Sequence, residues 1–232
     1  MADGIRFYSA GGWSVVGIVI LVCLIIVIIP LLFLGLVGAA FTRLGFSWIA
    51  AVAVVLLMLI GSAINIPVGK IRRETIRIEH NDGIIPEGHD PWETIIALNV
   101  GGAVIPVAIA CYLFYISTQS IGTSVGLSVI SGVLIVAALS FVAARRVSGV
   151  GIRAPLFIPG LTAMLCGLLL AGSVGLAAGV IAFVSSTFGT LIGANIAHLP
   201  WIREPGISEF SIGGPGTFGA VFIGCILSAL IA

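Results

Sequence analysis

The chain has 232 residues, of which 59% are hydrophobic and only 8% are charged, and its mean hydropathy is +1.28. This composition lies far outside the range of soluble domains and predicts an integral membrane protein. A formal net charge of +1 gives none of the concentrated cationic surface that nucleic-acid binding requires, so a nucleic-acid partner is excluded.

Charged residues are confined to short segments between long apolar stretches. No Lys, Arg, Asp or Glu occurs in residues 7–42, 94–144 or 154–202. About 20 apolar residues cross a bilayer as a helix, and charges inside it are costly. We therefore predict an all-α, polytopic transmembrane helical bundle that forms a single integral membrane domain over residues 1–232. Seven spans fit the pattern, at about residues 12–41, 45–66, 94–117, 122–144, 154–172, 174–199 and 214–232.

The loop between the second and third spans, about residues 67–93, is the one sizeable polar segment. Residues 75–79 alternate polar and apolar side chains, which is the period of a strand. Asp82-Gly83 is typical of a two-residue hairpin turn, and Pro86 and Pro91 end the segment before span three. We predict a small cytoplasmic β-hairpin here.

The distribution of basic residues indicates the orientation. Every Lys and Arg except Arg43 falls in a segment that the predicted spans place on one side. The positive-inside rule assigns that side to the cytoplasm. The predicted location is therefore the cell membrane, with the N-terminus in the cytoplasm and the C-terminus outside. The last segment is short and rich in glycine, and a re-entrant ending is the alternative to a full span.

Polar residues within the spans gather at the predicted cytoplasmic ends. The set consists of Asn65, Asn99, Thr190, Asn195, His198, Gly213, Gly214, Gly216, Thr217 and Gly219. The topology places these residues at one depth, which predicts a shared, cytoplasm-facing intramembrane cavity. The alternative is that the Asn and His side chains cap helix ends and bridge neighbouring helices.

Asn195 and His198 are three residues apart, so they project from one face of a helix. His198 is the only histidine within a predicted span. These two residues are the candidate ligands for a divalent metal such as zinc. Because zinc sites normally need several His, Cys or carboxylate ligands, a hydrogen-bonding role at the helix end is the alternative.

Five motifs occur in a fixed order along the chain. They are Asn-Ile-Pro at residues 65–67, Asn-Val-Gly-Gly-Ala-Val-Ile-Pro at 99–106, Gly-Ile-Arg-Ala-Pro at 151–155, Gly-Thr-Leu-Ile-Gly-Ala-Asn at 189–195 and Ile-Gly-Gly-Pro-Gly-Thr-Phe at 212–218. The set resembles a domain-of-unknown-function family of bacterial and archaeal multi-spanning membrane proteins, the one numbered sixteen-fourteen. The resemblance implies an intramembrane metalloenzyme, with hydrolysis as the expected reaction.

The chain departs from the family pattern at two acidic positions. In that pattern an aspartate follows the Gly-Ala of the span-six motif and another follows the Thr-Phe of the span-seven motif. Here Asn195 and Gly219 stand in those places, while His198 is kept. The change removes the anionic ligands and the expected general base, so no catalytic residue is assigned and activity is uncertain.

Three functions remain open. The chain is a metalloenzyme acting on a small-molecule, lipid or peptide substrate, a transporter or channel for a small solute, or a non-catalytic membrane scaffold. The sequence specifies neither the substrate nor the oligomeric state.

Overall fold

A computed structural model describes residues 12–72, 93–122, 124–147, 151–203 and 209–232. This part of the chain is mostly helical, as expected. The α-helices are α1 (Gly12–Arg43), α2 (Trp48–Gly61), α3 (Ile105–Ile121), α4 (Ser124–Ala143), α5 (Ile158–Ala171), α6 (Leu176–Thr190) and α7 (Phe218–Leu230). The strands are β1 (Asn65–Arg72), β2 (Glu93–Asn99), β3 (Arg145–Val147), β4 (Gly151–Arg153) and β5 (Glu209–Ile212). A π-helical turn, Val100–Val104, precedes α3, and a second, Leu191–Asn195, joins α6 to a 3-10 helix at Ile196–Arg203.

The helices run back and forth between two ends of the bundle. At one end, which we call the sheet end, Val100 N donates to Ile64 O (2.9 Å) and Ala154 N donates to Gly216 O (3.0 Å). At the opposite end, Arg43 Nη1 donates to Leu230 O (3.1 Å). The five described strands lie at the sheet end, and the ends of α1 and α7 lie together at the opposite end.

Four helical segments are long and apolar enough to cross a membrane. They are Val15–Arg43, Val100–Ser120, Val125–Ala143 and Leu176–Pro200. Helices α2, α5 and α7 are also apolar but shorter. These segments are compatible with a multi-pass membrane protein, whereas seven complete spans remain a prediction.

Two predicted span boundaries are wrong, and both errors involve strands. The second span was expected to continue to residue 66, but α2 ends at Gly61 and Asn65 begins β1. The third span was expected to begin at residue 94, but residues 93–99 form β2. Short apolar runs such as these fit a helix or a strand equally well, and here pairing between the two segments decides.

The main sheet has the strand order β1-β2-β5. Strands β1 and β2 are antiparallel, with Asn65 opposite Asn99, and β5 runs parallel to β2. The ladder register shifts between Pro67 and Gly69, at an irregularity where a proline, which donates no hydrogen bond, is tolerated. The loop was expected to begin at about residue 67 and its first strand at residue 75, whereas β1 already begins at Asn65. The Asp82-Gly83 turn and residues 75–79 lie outside the described residues.

Helix α6 forms the centre of the bundle and is buried along most of its length. Glycines let its neighbours approach closely, and a Cβ at any of these glycines would overlap the partner. The pairs are Gly189 with Val136 and Gly193 with Ala137 on α4, Gly167 of α5 with Ala178, and Gly224 of α7 with Ser186. Small residues at helix interfaces are how apolar helices associate within lipid.

The described contacts of α1 with the main core lie in its last third, at Val37 and Phe41, and Leu44 joins the core just after the helix ends. Its earlier apolar side chains, from Val15 to Phe33, are exposed.

Candidate functional site at the sheet end

Asn99 joins the sheet to the helical bundle. It is the last residue of β2, and its buried side chain is the N-cap of the π-helical turn, where Oδ1 accepts from Gly102 N at 2.8 Å. Its Nδ2 donates to Ser62 O at 2.7 Å and to Asn65 Oδ1 at 2.9 Å. One amide therefore holds the end of α2, the start of β1 and the first turn before α3 together.

Asn65 extends these contacts to β5. Its Oδ1 also accepts from Ser211 Oγ at 2.7 Å, and its Nδ2 donates to Glu209 Oε1 at 3.0 Å. We call Asn65, Asn99, Glu209 and Ser211 the amide network. Sequence reasoning did not identify Glu209 and Ser211, since no local pattern reveals that β5 pairs with β2.

The glycines of the segment entering α7 allow close packing. Gly213 has a φ of +74°, and a Cβ there would overlap the backbone of Gly102. Gly214 lies against the side chain of Ser211. Gly213 and Gly214 thus form a tight turn that packs between Ser211 of the amide network and Gly102 of the π-helical turn before α3.

Asn195 and His198 are both buried just beyond the end of α6, and His198 lies against Phe141 of α4. His198 Nδ1 is 2.9 Å from Gly193 O and donates to it in the Nδ1-protonated tautomer. The Phe141 ring lies 4.7 Å from the imidazole, between ring centroids, and Arg146 is within electrostatic reach of it. The histidine is oriented by α4 and by the π-helical turn.

The described hydrogen bonds do not join all of the predicted site residues into one group. Asn65 and Asn99 share the amide network, whereas His198 contacts Phe141 of α4 and Gly193 in the π-helical turn that ends at Asn195. Among the described residues, no hydrogen bond joins Asn99 to Asn195. Thr190 and Thr217 are both buried, on α6 and at the N-cap of α7.

A cavity of about 740 Å³ opens at the sheet end, between α4, the β3–β4 hairpin, α5 and α7. Gly216 and Gly219, two of the predicted site residues, line it together with Arg145 and Arg153. Gly216 packs on the carbonyl of Ile152 in β4, so the glycine segment also forms the wall of this cavity.

The family described as "Protein of unknown function (DUF1614)" matches residues 59–231. The chain belongs to the DUF1614 family. Neither a curated protein nor a solved structure is significantly similar to it. DUF1614 membership confirms the family expected from the motifs, but it carries no activity, so function has to be argued from the site.

The described residues of this DUF1614 protein do not make up a zinc site by themselves. No group of three or more His, Cys, Asp or Glu side chains that could hold a metal occurs among the described residues. His198 and Asn195 supply one imidazole and one neutral amide, and the nearby Arg146 adds positive charge. Zinc normally takes three or four protein ligands, often anionic ones. Metal binding at His198 and Asn195 stays a prediction, and no reaction step is assigned to it.

Proposed function

We propose that this DUF1614 protein is a multi-pass membrane protein with its sheet end towards the cytoplasm, and that the cavity at this end binds a small molecule or lipid. The orientation rests on the basic residues. Lys70, Arg145, Arg146 and Arg153 belong to the strands of the sheet end, whereas Arg43 lies at the opposite end. Basic residues favour the cytoplasmic side of a membrane.

The proposed binding function is supported mainly by the position at which α5 and α7 begin. These helices have 14 and 13 residues, and both start at the cavity wall, at Ile158 and Phe218. At about 1.5 Å per residue each is roughly 20 Å long, which is shorter than the roughly 30 Å hydrocarbon core of a bilayer. Non-helical backbone precedes both helices.

Non-helical backbone at membrane depth is tolerated where it is buried in protein or lines a wet cavity. Helices interrupted beside a binding site are also the way in which many transporters hold solutes. This geometry favours solute binding, and with it the transporter or channel function, over the metallohydrolase, because the described residues offer a cavity but an incomplete ligand set. A purely structural scaffold has no need for a lined cavity of this size.

Cysteine accessibility tests the proposal. In a background in which the four native cysteines are replaced by serine, Ala143→Cys places a thiol in the cavity wall. Gln119→Cys is the matched control, on an exposed position near the opposite end of α3. A membrane-impermeant maleimide should label Gln119→Cys in intact cells and Ala143→Cys only in inside-out vesicles.

Labelling of Ala143→Cys in intact cells would reverse the orientation. Failure to label this thiol from either face, while Gln119→Cys reacts, would mean that the cavity is closed to solutes, and the binding function would then be wrong.

A further inference from the structure

Two arginines face each other on the cavity wall. Arg145 of β3 is the direct partner of Arg153 in β4, and both residues line the cavity and are exposed. Directly opposite residues of an antiparallel pair lie on the same face of the sheet, with Cβ atoms about 5 Å apart. Like charges in this position destabilise a two-stranded ladder. A shared anion removes that repulsion, because each guanidinium offers a planar fork of N–H donors to it.

The described surroundings of the two arginines hold no compensating acid. The described cavity wall contains no Asp or Glu side chain. Glu209, at the same end, accepts a hydrogen bond from Asn65 within the amide network instead. The described wall of the cavity is therefore cationic.

The starts of α5 and α7 add to the positive potential. Neither helix has an acidic residue in its first turn, and neither N-cap residue makes a side-chain capping bond. Phe218 N at the start of α7 already donates to Gly214 O, and Pro159 in α5 has no N–H, so the helix dipoles and the remaining first-turn N–H groups are what favour an anion at this end. The two helices and the two arginines surround one cavity, so their effects act on the same ligand.

The remaining wall is apolar. Val142, Leu156, Ile158 and Phe218 line the cavity beside the arginines. A small, strongly hydrated anion gains no binding energy from this apolar surface, whereas an amphiphile buries its hydrocarbon portion against it. A ligand that carries phosphate next to an acyl chain matches both halves of the wall.

We infer that the cavity between α4, the β3–β4 hairpin, α5 and α7 binds a phosphate-bearing lipid, with Arg145 and Arg153 sharing its phosphate. This inference rests on the proposed function, since it specifies the ligand of the same cavity. A soluble phosphate ester shares the headgroup chemistry, and the apolar wall favours the lipid.

The test measures how lipid protects Ala143→Cys from maleimide in the purified full-length chain, in neutral detergent micelles and in the serine background. One arm adds phosphatidylglycerol, a second adds diacylglycerol with the same acyl chains, and a third adds glycerol phosphate. Phosphatidylglycerol should slow the labelling, and diacylglycerol should not, because it lacks the phosphate.

The double variant Arg145→Gln with Arg153→Gln should raise the phosphatidylglycerol concentration needed for half-protection by about tenfold or more, since charge-assisted bonds to phosphate are lost. The matched control is Arg43→Gln with Lys70→Gln, which removes the same charge from positions outside the cavity wall and should leave protection unchanged. An unchanged labelling rate without lipid shows that the double variant is folded.

Equal protection in the cavity variant and in the original chain would overturn the inference, and so would equal loss in the control. Protection by glycerol phosphate at the same concentrations as the lipid would overturn the lipid assignment in favour of a soluble phosphate ester. If Ala143→Cys reacts but no phosphate compound protects it, the anion site is wrong while the open cavity stands. If the thiol never reacts, the proposed function itself fails.

Discussion

Replacing Asn99 with alanine is the sharpest test of how the sheet is attached to the helices. The change removes hydrogen bonds to Ser62 O, Asn65 Oδ1 and Gly102 N from a fully buried side chain. At about 1 kcal/mol for each bond, Asn99→Ala should lower the free energy of unfolding by about 3 kcal/mol. The Gly102 N–H is buried, so the loss of its hydrogen-bond acceptor should contribute much of this decrease in the free energy of unfolding.

Asn99→Asp separates the two functions of the amide. A carboxylate can still accept from Gly102 N, but it has no N–H to offer to Ser62 O and Asn65 Oδ1. Three oxygen acceptors would then face one another without a proton between them. We expect a loss of stability at least as large as that of Asn99→Ala, although the cap is retained.

Unfolding can be followed through the buried thiols of Cys166 and Cys225, which react with a maleimide dye once the bundle opens. The exposed Cys23 and Cys111 are replaced by serine so that they give no background. Ser62→Ala is the control: it removes an exposed bond within one helical turn and should change stability by less than about 0.5 kcal/mol. An Asn99→Ala variant no less stable than this control would refute the reasoning.

Three further predictions concern the close packing beside α6 and the predicted metal ligands. Gly193→Leu should lower the free energy of unfolding by about 3 kcal/mol or prevent folding, because its Cβ would overlap the Ala137 carbonyl; thiol-monitored unfolding measures it, and a neutral effect would contradict the close packing. If His198 binds a metal, elemental analysis should find zinc in the purified chain and less in His198→Ala, and equal zinc would contradict the site. Asn195→Asp with Gly219→Asp should raise zinc affinity, with binding that weakens as pH falls because protons compete for the ligands; a folded double variant without zinc would contradict the metal prediction.

The sequence predicted the helices best where charged or polar residues stand directly at the helix ends. The first span was expected to end at residue 41 and α1 ends at Arg43, and the fourth was expected to end at residue 144 and α4 ends at Ala143. In both cases the apolar run and the helix end together. Hydropathy alone was insufficient around β1 and β2, because a short apolar run fits a strand as well as a helix.

The sequence could group the candidate site residues but could not give their contacts. Asn65 and Asn99 were predicted to share one cavity, and their direct bond depends on the β1–β2 register. The participation of Glu209 and Ser211 depends on a parallel pairing with β2. Such pairings are set by tertiary packing, and no local periodicity encodes them. The cross-strand arginines of the cavity were likewise visible only as two separate basic residues.

The metal site and the anion site differ in the charge that they require at position 219: a metal site favours a carboxylate there, and an anion site favours an uncharged residue. It lines the cationic cavity, and the side chain that a Cβ there would meet first is the flexible Leu156. A carboxylate at this position would contribute a metal ligand, but it would also bring negative charge into the cavity that holds Arg145 and Arg153. With glycine there, the arginines are not neutralised from α7, and space remains for an external anion. The glycine that stands in place of the expected aspartate is therefore compatible with an anion site.

The single variant Gly219→Asp should weaken protection by phosphatidylglycerol, because its carboxylate competes for the same guanidinium groups. Full protection in a folded Gly219→Asp variant would show that the cavity does not distinguish internal from external negative charge, and the arginine pair would lose its assigned role.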